Sequence, residues 1–100
     1  MSKKTMKKYI YTKKIGIEVV KYLNYLGFKN SKLIGSLSTK GYSNHDIDIL
    51  IKTKKIIDRQ KVIDILAKDC ILNPELYYNV EYTQAVFEGT CFGNLNIFFY

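Results

Sequence analysis

Two aspartates separated by one residue stand in the middle of the chain, and their spacing suits the binding of a divalent cation. Asp46 and Asp48 lie in the segment 46–51, where isoleucine occupies every odd position, which is the period of a β-strand. Successive side chains of a strand point to opposite faces, so both carboxylates share one face while the isoleucines turn toward a core. The carboxylates would lie about 6.6 Å apart along the strand. Such oxygen ligands can hold one Mg²⁺ or Mn²⁺, or bridge two ions.

A glycine and a serine precede the aspartates. Gly35 and Ser36 follow an apolar run, and a polar loop of nine residues, Leu37 to His45, leads to Asp46. A small residue at the end of a strand lets backbone N–H groups approach a phosphate, and the serine hydroxyl adds a donor. We therefore expect a phosphate and a metal ion to meet here. The alternative is an ordinary Gly-Ser turn before an edge strand with two solvated acids.

These residues resemble the motif of the nucleotidyltransferase superfamily that includes DNA polymerase beta. That motif is an apolar residue, Gly-Ser or Gly-Gly, a loop and then Asp-apolar-Asp, and segments 34–36 and 46–48 match it. The resemblance implies transfer of a nucleotidyl group from a nucleoside triphosphate to a hydroxyl acceptor, with Mg²⁺ or Mn²⁺ as cofactor. It assigns the metal to Asp46 and Asp48. The residues expected to bind the triphosphate are Gly35, Ser36, Lys40 and Ser43.

The loop before the aspartates often contains a short helix in this superfamily, with its N-terminus directed at the triphosphate. Lys40 could pair with a phosphate there, although a lone loop lysine is usually only solvated. His45, the only histidine, adjoins the acids, but strand alternation turns it away from their face. We therefore assign His45 to the loop rather than to the metal.

The end of the chain resembles the superfamily segment that carries a third catalytic acid. Residues 92–99 are Phe-Gly-Asn-Leu-Asn-Ile-Phe-Phe, and the family pattern is Phe-Gly-x-apolar-Asp-apolar-Phe-Phe. Asn96 occupies the position of the acid. An amide carries no negative charge and cannot accept the proton of an attacking hydroxyl, so catalysis should be impaired. Glu81 or Glu88 could replace the missing acid, with Glu88 the better placed of the two.

Asn96 leaves three explanations open. The chain could be a weak enzyme, an Asp-to-Asn variant made to trap a substrate complex, or a degenerate module that binds nucleotide or a partner protein, as an antitoxin-like regulatory subunit does. Besides an enzyme and a binding module, the third class of function is a nucleic-acid binder that uses basic charge alone. In that case the aspartate pair would have no role.

The composition describes one small basic domain. The chain has 100 residues with 16 Lys and Arg against 9 Asp and Glu, a net charge of +7, which favours an acidic partner such as nucleotide, nucleic acid or a membrane surface. Residues 1–14 contain six lysines and no acid, so we interpret them as a basic arm for nucleic acid. The alternative is a solvated tail that runs into the first helix. Residues 15–100 would form a minimal catalytic core. A homodimer mate or partner protein could complete the grip on substrates.

The two cysteines and the hydropathy indicate a soluble cytoplasmic protein. Cys70 and Cys91 have no CxxC or Cys/His spacing, so we expect two buried thiols in a reducing compartment and neither a zinc site nor a disulfide framework. No apolar run approaches the roughly 18 residues of a membrane span. A membrane-spanning segment is therefore not expected, and among the acidic partners that the charge favours we expect nucleotide or nucleic acid rather than a membrane.

Apolar periodicity predicts two helices and several strands. The first helix should begin after a Thr12 cap and end at Gly27, and the second should run from an Asp58 cap to residues 73–74. The apolar residues expected to face inward are Ile15, Val19, Val20, Leu23 and Leu26 in the first helix and Val62, Ile63, Ile65, Leu66 and Cys70 in the second. Strands are expected at 33–37, at 46–51 and from residue 77 onward, with a Gly93-Asn94 hairpin turn.

These elements predict an α/β (α+β) fold. We expect a twisted mixed sheet of four to five strands with two main helices on one face. The face that carries the aspartates should be open to solvent.

Overall fold

The computed structural model describes residues 11–69, 72, 74–79, 81 and 83–100. The basic arm predicted for residues 1–14 therefore lies mostly outside the described residues. The helices are α1 (Lys13–Tyr25), α2 (Gly35–Thr39) and α3 (Ile56–Lys68). The strands are β1 (Tyr11–Thr12), β2 (Ser31–Leu33), β3 (Tyr42–Ser43), β4 (Ile47–Ile51), β5 (Glu75–Tyr78), β6 (Gln84–Thr90) and β7 (Gly93–Phe99).

A five-stranded sheet in the order β2-β4-β7-β6-β5 organises the described residues. Strands β4 and β7 run parallel at its centre, and the other neighbours are antiparallel. Strands β1 and β3 pair separately as a short two-stranded sheet. The mixed α/β sheet expected from the sequence is confirmed. Within the described ranges, no helix has the length and apolar character needed to cross a membrane.

The hydrophobic core lies on one face of the sheet, under α1 and α3. Alternate residues of the central strands are buried in one cluster with residues of both helices, as the periodicity requires. Its main members are Ile47, Ile49, Ile51, Ala85, Phe87, Leu95, Ile97, Phe99, Val19, Leu23, Val62, Ile63 and Leu66. Burying one such side chain fully contributes about 1.5 to 3 kcal/mol. The residues between them in the strands, including Asp48 and Asn96, are half-buried on the opposite face, which we call the open face.

Helix α1 begins and ends as the sequence predicts. The Thr12 hydroxyl accepts a hydrogen bond from the Ile15 backbone N–H at 3.5 Å, which caps the first turn. Gly27 follows the helix with a φ of 106°, a left-handed conformation that costs glycine little. These two ends place Val19 and Leu23 in the core.

Four predicted boundaries are wrong. The strand expected at 33–37 ends at Leu33, because Gly35 takes a φ of +72° and begins α2. The hairpin turn lies at residues 91–92 instead of 93–94, since Thr90 pairs with Gly93. Helix α3 begins at Ile56 after Lys55, so Asp58 lies in its first turn, where its charge favours the helix dipole. The same helix ends at Lys68, before the predicted stop at 73–74.

Two predicted burials also fail. Ile65 is 44% exposed on α3, although its neighbours Val62 and Leu66 are buried, so the inward stripe is narrower than expected. Cys91 is exposed because it stands in the turn between β6 and β7. The prediction for Cys70 lies outside the described residues.

Gly93 should tolerate no side chain, because Tyr11 packs directly against it. Gly93 has a φ of 105°, and a Cβ there would lie 2.8 Å from Cζ of Tyr11, whose hydroxyl accepts a hydrogen bond from the Asn94 N–H at 3.1 Å. Gly93→Ala should lower the free energy of unfolding in urea by about 2 to 4 kcal/mol. The matched control is Gly89→Ala, because Gly89 has a φ of +74° with no atom near its Cβ position. This substitution should lower the free energy of unfolding by about 1 to 2 kcal/mol. Equal losses would contradict the Tyr11 contact.

Candidate functional site

The parallel register of β4 and β7 places Asp48 beside Asn96 on the open face. The two residues are direct partners in the sheet, and neighbouring strands lie about 4.8 Å apart. Ile47 pairs with Leu95 and Ile49 with Ile97 on the core side. The residue that occupies the third catalytic position of the motif therefore adjoins the second aspartate.

Gly35 brings the backbone against the side chain of Asp48. The Ile34 N–H donates to the Asp48 carbonyl at 2.9 Å, and the left-handed Gly35 then turns the chain over the carboxylate. A Cβ on Gly35 would lie 3.1 Å from both Cβ and Cγ of Asp48, and nearer still to Oδ2. Only a residue without a side chain permits this approach.

Helix α2 holds this turn in place. The Ser36 carbonyl accepts from the N–H groups of Lys40 at 2.7 Å and Gly41 at 3.2 Å. The Thr39 hydroxyl donates to the Gly35 carbonyl at 3.1 Å. These bonds satisfy carbonyls that a short helix would otherwise leave unpaired. The backbone of Gly35 and Ser36 is thus held beside the aspartates.

The folded protein disfavours the charged form of the Asp48 side chain. Burial raises the pKa of Asp48 to about 6, helped by the negative charge of Asp46 and a hydrogen bond with it, while a hydrogen bond from Asn96 opposes the shift. Its Oδ1 atom is buried without a hydrogen-bond partner among the described residues. Two close acids and an unpaired carboxylate oxygen are costly unless a cation neutralises them. The donor set therefore fits a hard divalent cation.

Gln84 is a member of the site that the sequence analysis missed. Its Nε2 donates to Oδ1 of Asn96 at 2.8 Å, which uses one lone pair of that oxygen, while the NH₂ group of Asn96 donates to Asp48. The predicted turn at 93–94 would have set Asn96 opposite Cys91, whereas the observed register sets it opposite Val86. Without that register, nothing in the sequence connects Gln84 with Asn96.

Three other residues predicted as phosphate ligands lie in α2 (Ser36), at the C-terminal end of α2 (Lys40) and in β3 (Ser43). Ser36 is exposed next to Gly35, and Lys40 is exposed at the C-terminal end of α2. Ser43 is only 8% exposed, and its Oγ accepts from the His45 N–H at 3.2 Å, in the turn that leads to Asp46. Among the residues that the structure describes, no hydrogen bond or ion pair joins Lys40 or Ser43 to the aspartates.

Neither glutamate considered as a substitute acid joins the aspartates. Glu88 lies opposite Glu75 in the β5–β6 pair, and Glu81 is exposed in the connection between these strands. In the described part of the chain, no group of three or more His, Cys, Asp or Glu side chains could hold a metal. The acidic part of the site is thus the pair Asp46 and Asp48.

Comparison of the chain with protein-family models, with curated proteins and with solved structures finds no match in any of the three.

Asp48→Asn should make the metal-free protein more stable at neutral pH. Because the folded state raises the pKa of Asp48 from 3.8 to about 6, it binds the proton more tightly than the unfolded chain does. The free energy of unfolding should therefore fall as pH rises from about 4 to about 6, and the penalty should persist above that range. The variant should lose this dependence and gain about 1 kcal/mol at pH 7, after allowance for partial solvent exposure.

Urea denaturation with EDTA between pH 4 and pH 8 measures this effect. Asp64→Asn, at an exposed acid on α3, is the matched control and should leave the pH profile as in the wild type. A wild-type profile that is flat in this range, or an Asp48→Asn protein less stable at pH 7, would contradict the electrostatic strain.

Proposed function

We propose that this chain is a nucleotidyltransferase-type domain that binds a nucleoside triphosphate with Mg²⁺ or Mn²⁺ and transfers its nucleotidyl group to a hydroxyl acceptor at a reduced rate. The observation that carries the proposal is the meeting of Gly35, Asp48 and Asn96 at one point of the open face. Three separate segments of the resemblance supply these residues. An unrelated Gly-Ser turn and edge strand would have no reason to bring them together.

Asp46 and Asp48 would hold the cation, whose contribution is to polarise the phosphoryl oxygens and neutralise their charge. The buried Oδ1 of Asp48 offers a lone pair that no protein group uses among the described residues. Gly35 lets the backbone lie against the Asp48 carboxylate, and the exposed Ser36 next to it offers a hydroxyl donor to a phosphate. The net charge of +7 attracts the triphosphate over a longer range.

Asn96 explains why the transfer should be slow. Its side chain cannot take the proton of the attacking hydroxyl, and its Oδ1 already accepts from Gln84. A second cation would also bind weakly, because no third carboxylate would balance its positive charge. Positioning of the reactants would remain as the main source of rate enhancement.

A degenerate module that binds nucleotide and regulates a partner protein is the second candidate. The hydrogen bond between Gln84 and Asn96 favours it, because two neutral amides satisfy each other where an enzyme would keep a free base. Both candidates share the same cation and phosphate site. They differ only in turnover.

Binding of the cation and nucleotide should depend on Asp48. In isothermal titration the wild type should bind Mn²⁺ together with ATP, and Asp48→Ala should weaken that binding by about 10- to 100-fold, the size of effect known for altered metal sites. Asp64→Ala on α3 is the control for loss of one acid from a basic protein. Equal weakening by the two substitutions would mean that only the overall charge matters, and the proposed site would be wrong.

Asn96→Asp should raise turnover while leaving nucleotide binding in place. A carboxylate at position 96 can act as a general base, which contributes about 10²- to 10⁴-fold to a rate. The measurement is pyrophosphate release from each nucleoside triphosphate with Mg²⁺ or Mn²⁺, offered with RNA, DNA and protein acceptors. Asn30→Asp, in the exposed turn between α1 and β2, is the control.

The result separates the two candidates. Release by the wild type that rises with Asn96→Asp supports the slow enzyme. Binding without release in either protein supports the regulatory module.

A further inference from the structure

One row of side chains runs across the open face from the aspartates to the far edge of the sheet. Asp48 pairs with Asn96, Asn96 with Val86, and Val86 with Tyr77. At about 4.8 Å between neighbouring strands, Val86 lies about 10 Å from Asp48 and Tyr77 about 14 Å. The row changes from acidic to polar and then to apolar and aromatic along this path.

A surface cavity of about 320 Å³ occupies the apolar end of this row. It is lined by Tyr77, Tyr78, Asn79, Gln84 and Val86, and its volume is at the lower limit for small-ligand sites. Tyr77 is 55% exposed, so its ring is accessible from the open face. The lining thus combines an aromatic surface, an aliphatic floor and an amide.

Asn79 links the two strand ends beside this cavity by hydrogen bonds. Its Oδ1 accepts from the N–H groups of Thr83 at 2.9 Å and Gln84 at 3.4 Å, and its Nδ2 donates to the Thr83 hydroxyl at 2.5 Å. This network ties the end of β5 to the start of β6. The backbone of Gln84 is therefore positioned before any ligand binds, which lowers the entropic cost of binding.

We propose that this cavity holds the base of the nucleotide whose phosphates bind at Asp48. The inference rests on the proposed function, because it takes the phosphate position from it. The ring of Tyr77 would stack on the base, and Val86 would contact its apolar surface. Gln84 gives one Nε2 hydrogen to Asn96, and in the described part of the chain its second N–H and its Oε1 are left for the edge of the base.

Among the directions across the sheet, the one toward β6 and β5 is open to the ribose and base. On the other side of Asp48, Gly35 and α2 pack against β4. Below the sheet, the core under α1 and α3 is filled. Toward β6 and β5 the described residues present half-buried and exposed side chains with no covering element. A nucleotide anchored by its phosphates beside Gly35 would therefore extend along the row toward Tyr77.

Comparing ATP with inorganic tripolyphosphate separates the base from the phosphates. Isothermal titration with Mg²⁺ would be carried out on the full chain and on Tyr77→Ala, Tyr77→Phe and Tyr25→Ala. Tyr25 is 85% exposed on α1 and is the control for loss of a surface ring. Tyr77→Ala should weaken ATP binding by about 5- to 100-fold, the size expected for loss of one stacked base, and should leave tripolyphosphate binding unchanged. Tyr77→Phe and Tyr25→Ala should bind ATP as the wild type does.

Four results would overturn the inference, and they have three different meanings. If the wild type binds ATP no more tightly than tripolyphosphate, or if Tyr77→Ala leaves ATP binding unchanged, the base lies elsewhere while the phosphate site stands. If Tyr77→Ala weakens both ligands equally, Tyr77 acts on the fold and not on the base. If the wild type binds neither ligand, the proposed function fails together with this inference.

Discussion

The parallel pairing of β4 with β7 is the constraint on which the site depends. On the core side of the sheet this pairing sets Ile47 against Leu95 and Ile49 against Ile97, and all four residues are fully buried. A slip of β4 by one residue would turn Asp48 into that core and bring its isoleucines to solvent. The hydrophobic effect on the core side therefore keeps Asp48 and Asn96 in register on the open face, where the interactions among the polar side chains are unfavourable or weak.

Asp48 shows what this arrangement costs. Its pKa is raised by burial and by Asp46, and its Oδ1 has no partner in the described structure. Gly35 adds to the crowding by bringing the backbone against the carboxylate. Strongly shifted pKa values and unpaired polar atoms concentrate at functional sites, because selection retains them there for binding or chemistry. A divalent cation would relieve the repulsion and occupy the unpaired oxygen, which is why the cation is central to the proposed function.

Local pattern was sufficient to predict the sheet, α1 with its Thr12 cap, and the closeness of Asp46 to Asp48. The remainder depends on tertiary register. The turn at 91–92 places Gln84 next to Asn96, and a Gly-Asn pair two residues later misled the prediction because Gly93 is required for packing against Tyr11. The left-handed Gly35 converts the expected end of a strand into α2. Ser43 has the hydroxyl of a phosphate ligand, yet this hydroxyl accepts a hydrogen bond from the His45 N–H in the turn before Asp46.

The most direct measurement is the position of Mn²⁺ in anomalous difference maps from crystals of the chain grown with Mn²⁺ and a non-hydrolysable nucleoside triphosphate. The account predicts a peak between the carboxylates of Asp46 and Asp48, with phosphate oxygens on its other side and the backbone of Gly35 beside them. A saturating concentration of Mn²⁺ that gives no peak there, or a peak whose ligands exclude Asp48, would contradict the account.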